Sequence, residues 1–161
     1  MMTSTFFSQQ WADDVRDALN AGPSEEALAG KLPEYWDFYN LIRYTYPSSW
    51  ALGVRGLPDE LGGGTGYLLV QWVEGMVTEC RVLGESEPVE ATYVLAADYH
   101  DWKALFEGYD ALRTVMYRKL LLEDGDLLEF FKAIYFFVEC LALIAQVPTS
   151  FPANSAVPVA V

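Results

Sequence analysis

The stretch Thr92–Phe151, TYVLAADYHDWKALFEGYDALRTVMYRKLLLEDGDLLEFFKAIYFFVECLALIAQVPTSF, decides the fold. Its start, Ala91–Ala96, is rich in β-branched and aromatic residues and reads as a strand. Asp98 stands at a helix N-cap, with Asp101 three residues on, a weak form of the capping box. Trp102, Leu105 and Phe106 make that helix's apolar face, and Gly108 ends it. Ala111–Arg118 reads as a further helix and Lys119–Glu123 as a strand. Gly125 permits a turn, and Asp126 with Glu129 gives a second Asp-x-x-Glu start. One long apolar helix then runs to about Gln146, where Pro148 stops it.

The preceding residues supply the remaining elements. Ser8 fits an N-cap for a helix reaching about Asn20, with Trp11, Val15, Ala18 and Leu19 at helical spacing and Gly22-Pro23 closing it. Ser24-Glu25-Glu26 starts a short helix, and Pro33 opens another over Glu34–Tyr44. From Ser49 the pattern changes to strands: Trp50–Arg55, Tyr67–Glu74 and Met76–Leu83. Glu74-Gly75 makes the tight turn between the last two. Leu57–Gly66 is a glycine-rich loop. The order predicts an α+β fold, a five-stranded mixed sheet covered mainly on one face by helices. Residues 1–150 form one domain, and 151–161 read as a mobile tail.

The last helix is broadly amphipathic. Leu127, Phe130, Phe131, Ile134, Phe137, Val138, Leu141 and Ala145 fall on one face, and Glu129, Lys132, Glu139 and Gln146 on the other. Phe136 and Leu143 interrupt the polar stripe. Their alignment suggests a contact with a second subunit or with the C-terminal segment.

Composition narrows the function. Ten basic against 23 acidic residues give a net charge of −13. Nucleic-acid binding is not expected, because its affinity comes from Lys and Arg neutralising phosphates. Membrane contact is expected to be transient at most, since steady adsorption to anionic lipid favours basic patches. Arg113, Arg118 and Lys119 lie close together and read first as a solvated turn of helix and strand start, with a local basic patch as the alternative. Hydrophobic residues make up 52% and aromatics 15% of the chain, more bulk than a core of this size needs. The excess belongs in a second core, an oligomer contact or a cavity wall.

Catalytic chemistry is sparse, and the chain reads as a non-enzyme with no metal and no cofactor. His100 is the single histidine, so any Ser-His-Asp triad would have to use it. Its place in a helix start beside Asp98 and Asp101 suits a solvated residue. Cys80 and Cys140 lack a basic or helix-start setting that would activate a thiol. One His and two distant Cys do not make a zinc site. Gly62-Gly63-Gly64-Thr65-Gly66 lacks the Lys-Ser/Thr ending of a phosphate loop and is not followed by a helix.

The Tyr93-Val94-Leu95 strand running into Asp98-Tyr99-x-x-Trp102-Lys103, the Gly125-Asp126 helix start, Phe7-Ser8-x-x-Trp11 and the closing Val147-Pro148-Thr149 together resemble the sterol carrier (nonspecific lipid-transfer) family. The resemblance covers most of the chain and is strongest after Ala91. It implies a five-stranded sheet under helices enclosing an apolar tunnel for a fatty acid, acyl-CoA, phospholipid or sterol. On that reading the lining comprises Trp102, Phe106, Leu112, Met116, Phe130, Phe131, Ile134, Val138 and Leu141. Two departures stand out. Glu34–Ser49 is longer and more aromatic than expected of a compact bacterial member. The end Pro158-Val159-Ala160-Val161 lacks the peroxisomal tripeptide of animal members, which favours the cytoplasm. The alternative is an interaction or homodimerisation module with a filled core and no ligand.

Overall fold

A computed structural model of the chain describes residues 3–46 and 48–152. After the short strand β1 (Ser4–Thr5), helix α1 spans Gln9–Ala21, and the Ser8 hydroxyl accepts from the Trp11 amide at 3.2 Å. Ser24 caps α2 (Glu25–Ala29) in the same way, through the Ala27 amide. Pro33 is the first residue of α3 (Pro33–Thr45), where its missing N–H costs nothing.

Strand β2 (Ser49–Arg55) is followed by a 3-10 turn at Asp59–Leu61 and the hairpin β3 (Gly66–Val73) and β4 (Met76–Val82). Glu74 and Gly75 both have positive φ, 50° and 86°, the conformation that a two-residue hairpin turn requires. Then come β5 (Tyr93–Asp98), α4 (Tyr99–Phe106), α5 (Ala111–Met116), β6 (Leu121–Asp124), α6 (Leu127–Lys132), α7 (Ile134–Ala145) and β7 (Thr149–Ser150).

The sheet order is β4-β3-β2-β5-β6, with β2 and β5 parallel and the other pairs antiparallel. This is the α+β mixed sheet that the sequence predicts. Strand alternation sends Trp50, Leu52, Val54, Leu68, Val70, Trp72, Tyr93 and Leu95 to the helical side, where all are buried. On the opposite face the glycine of β2 stands where a ring crosses the sheet. The Tyr67 ring lies across Gly53 and reaches Glu123 with its hydroxyl at 3.3 Å. A Cβ on Gly53 would stand 2.7 Å from that ring.

Strand β4 is a sheet edge, and α1 covers it. Asn20 accepts from the Val77 amide at 2.7 Å and donates to the Val77 carbonyl at 3.2 Å, and Gln9 donates to the Cys80 carbonyl. Side-chain amides thus occupy groups that would otherwise recruit a foreign strand. The buried Arg43 fastens α3 to the same corner, donating to the carbonyls of Gly75 (2.7 Å) and Asn20 (2.8 Å).

Four sequence expectations need correction. The last helix is two helices, broken at Ala133 (φ −113°, ψ 25°). Phe136 and Leu143 are buried by the chain itself. Phe136 packs among Tyr39, Tyr46, Trp50 and Trp72 with ring centroids 5.1–6.2 Å apart, and Leu143 sits beside Ala18 where α1 meets α7. The Asp98 side chain caps nothing, because Arg55 binds it at 2.9 Å. Phe151, half-buried, packs against the core: it stacks on Phe6 at 4.8 Å and meets Tyr99 and Phe106. Strand β7 pairs in parallel with β1, Ser4 opposite Thr149. The expected tail from residue 153 onward lies outside the described residues.

Candidate functional site

Large aromatics fill the space between sheet and helices. Trp11, Trp50, Trp72, Phe6, Phe136 and Phe137 are all essentially inaccessible to solvent. Among the described residues, two narrow apolar gaps lie in this interior. One lies among Phe6, Trp11, Leu52, Leu68 and Trp102, and the other among Trp102, Leu105, Leu120 and Leu141. Neither leaves room for a water molecule.

Three of the expected lining residues therefore belong to packed core. Trp102 donates its indole N–H to the Gly53 carbonyl at 2.9 Å. Phe130 sits between Tyr93 and Phe137. Leu141 borders the second gap. Phe106 packs with Phe6 and Phe151 at the margin of the core, and Ile134 is half-buried against it.

Leu112 and Val138 come together elsewhere. They line an open groove of about 430 Å³ with Lys31, Leu32, Tyr35, Tyr135 and Glu139. Tyr135, Val138 and Glu139 share one side of α7 at helical spacing. The α2–α3 linker and the first turn of α3 form the second wall, and the first turn of α5 the third. Met116 and Phe131 are exposed, at 56% and 42% of their full area, and are not among the residues that line this groove.

One corner of the groove is polar. The Lys31 ammonium lies 2.7 Å from Glu139 Oε2 and 4.5 Å from the Tyr35 ring centroid. The Tyr35 hydroxyl donates to the same Glu139 oxygen at 2.5 Å. Burial and the Glu139 carboxylate push the Tyr35 phenol above its ordinary range, so it remains a neutral donor. The corner offers an ammonium and a phenol at one end of an otherwise apolar trough.

Sequence reasoning missed Lys31, Leu32, Tyr35, Tyr135 and Glu139. The i,i+4 pairs Lys31–Tyr35 and Tyr135–Glu139 were legible, but nothing local shows that the two pairs meet.

The groove and the second interior gap are neighbours along the α5–α7 contact. Leu112 and Val138 face the groove. Thr114 on α5 and Leu141 on α7, each within one helical turn, border the gap. Helix α5 is short and flanked by Gly108 (φ 113°) and Arg118 (φ 64°).

Other polar groups offer little chemistry. Burial pushes the Cys80 thiol up to about 12 and raises that of Cys140 as well, so both stay protonated near neutrality. Asp98, His100 and Asp101 could place one ligand atom each within 4.8 Å of one another. Both carboxylates already face cations, Arg55 at 2.9 Å and Lys119 at 3.8 Å. The Gly62–Gly66 loop leads into β3, so no helix end stands behind its amides.

The arrangement is a sheet under a helical layer with an apolar groove at one helical seam. Solved structures with this architecture include sterol carrier proteins. The chain matches the crystal structure of a sterol carrier protein 2 at TM-score 0.68 and 22% identity, covering 88% of this chain and 98% of that one. It matches a protein of Thermus thermophilus, described as a candidate sterol carrier protein, at TM-score 0.66 and 19% identity, covering 95% and 99%. No protein-family model matches the sequence, and no curated protein matches it. The chain has the sterol-carrier-protein-2 fold.

Proposed function

We propose that this chain binds a hydrophobic ligand of the fatty-acyl, phospholipid or sterol type, carries it without chemical change, and does so in the cytoplasm. The observation that carries the reading is the apolar groove at the α5–α7 seam, with a small apolar gap beside it, within a sterol-carrier fold. A volume near 430 Å³ falls within the usual range for small-molecule sites, roughly 300–1,000 Å³.

Energetics limits how the ligand sits. A fully buried methylene gains about 0.8 kcal/mol. A chain of about ten methylenes lying in an open groove keeps about half its surface wet and gains roughly 4 kcal/mol gross. The cost of association alone cancels that. Tight binding therefore requires α5 to part from α7, so that the acyl chain passes Leu112 and Val138 towards Trp102 and Leu141. Its polar end stays outside beside Lys31 and Tyr35.

Organic extraction of the purified protein followed by mass spectrometry tests the reading, together with displacement of a fluorescent fatty acid. A stoichiometric copurifying lipid, or saturable displacement, is expected. Absence of both overturns it.

The filled aromatic interior favours a second reading, in which the same fold serves as a non-catalytic interaction or homodimerisation module. On that reading neither lipid nor displacement is found, and sedimentation reports a stable assembly.

A further inference from the structure

We propose that the outward face of α5 and the turn after it dock the protein onto an anionic lipid bilayer. The inference deepens the lipid-binding reading and rests on it for the purpose of the contact. The contact itself stands on the distribution of charge and apolar surface.

The chain's cations are almost all neutralised. Arg16, Lys31, Arg55, Arg81, Lys103, Lys119 and Lys132 each have a carboxylate within 3.8 Å. Arg43 is buried on backbone carbonyls. Among the described residues, Arg113 and Arg118 are exposed with no such partner. Both lie on this one short segment.

Exposed apolar side chains interleave with them: Leu112, Met116 and Tyr117, at 38%, 56% and 64% of their full area. Aliphatic and aromatic groups that enter the acyl boundary, flanked by arginines that reach phosphates, are the pattern of an interfacial segment. Of the nearby carboxylates, Asp101 is paired with Lys119, while Asp110 caps α5 through the Arg113 amide and stands as one anion beside two free arginines.

The overall charge of −13 then acts as an orienting force. An anionic surface repels the rest of the molecule within a Debye length, about 8–10 Å at ordinary salt, and admits this face. Because Leu112 also lines the groove, docking sets the α5–α7 seam against the lipid.

The test labels the variant Met116→Cys with a polarity-sensitive fluorophore. The buried native thiols, held protonated, leave the introduced thiol as the reactive one. A blue shift is expected with phosphatidylglycerol-containing vesicles and not with pure phosphatidylcholine, weakening as salt is raised. Adding Arg113→Gln and Arg118→Gln should lower the vesicle partition coefficient by about tenfold or more. Arg16→Gln, a paired cation on α1, should leave it unchanged. Equal shifts on both lipids, no shift on either, or indifference to the double substitution overturns the proposal; circular dichroism confirms that each variant folds. Fatty-acid displacement in vesicle-free solution separates the two readings. Displacement without docking sinks this inference alone, and docking without displacement sinks the carrier reading alone.

Discussion

Two neighbouring parts of the helical layer have similar composition and opposite packing. Around Phe136, side chains from α3, β2, β3 and α7 close on one another: Tyr39, Tyr46, Trp50 and Trp72 all lie within ring-contact distance. Around Tyr135, one residue earlier on the same helix, Leu32, Tyr35, Leu112 and Val138 stand apart and leave a groove. The difference comes from the partners. Helix α3 starts beside the groove at Tyr35 and runs past Phe136 through Tyr39 to Arg43, which anchors it over the hairpin turn. Helix α5 is too short to close the other side. Apolar content alone therefore does not tell solid core from binding surface; the length and anchoring of the covering helix do.

The largest effect expected from this contrast is on stability. Phe136→Ala should cost about 3–5 kcal/mol in urea unfolding, through lost burial and a cavity that its aromatic neighbours cannot fill. Phe131→Ala, on the short helix before the break, should cost less than about 1 kcal/mol, since much of that ring is already in water. Equal costs would erase the distinction.

High pH probes the buried interior at large next. Burial raises the folded pKa of Cys80 from 9.0 to about 12 and also raises those of Cys140, Tyr39 and Tyr46. A raised pKa on a group that is neutral when protonated means the unfolded chain releases its proton first. The stabilisation is complete below about pH 9 and falls as pH climbs towards 12. Cys80 alone should remove about 1.4 kcal/mol by pH 10, one unit above its unfolded value. Cys80→Ala should flatten that part of the urea-midpoint profile.

In the open region the readout is affinity. Leu112→Asp should weaken fluorescent fatty-acid binding about tenfold, roughly 1.4 kcal/mol, while moving stability by about 0.5 kcal/mol or less. A smaller change is expected of Glu139→Gln. It releases Lys31 from its carboxylate and should favour a fatty acid over the matching fatty alcohol by a few-fold, as half-exposed charges interact weakly.

Much of the fold was legible because local chemistry dictates it. Ser8, Ser24 and Asp126 each cap the helix that the sequence assigned to them, and Glu74-Gly75 makes its turn. The misses have long-range causes. Asp98 looked like a side-chain cap until Arg55, distant in sequence, took its carboxylate. Phe136 and Leu143 looked exposed because one buried face was assumed. Helix α7 instead has the sheet on one side and α1 and α3 on others, as its nearly uninterrupted apolar sequence allows. The break at Ala133 carries no glycine or proline signal. Of the groove, Leu112 and Val138 were named from sequence. The residues opposite them come from a distant segment whose approach depends on how α3 is anchored.

The parallel pairing of Ser4–Thr5 with Thr149–Ser150 has a consequence for biosynthesis. A ribosome must finish residue 150 before this clasp can shut. Until then Phe6 and Trp11 lack their stacking partner Phe151 and the Thr149 hydroxyl that accepts the Trp11 indole proton. Until residue 151 emerges, the aromatic cluster about Phe6 is incomplete, a window in which chaperones or premature association compete with the native closure.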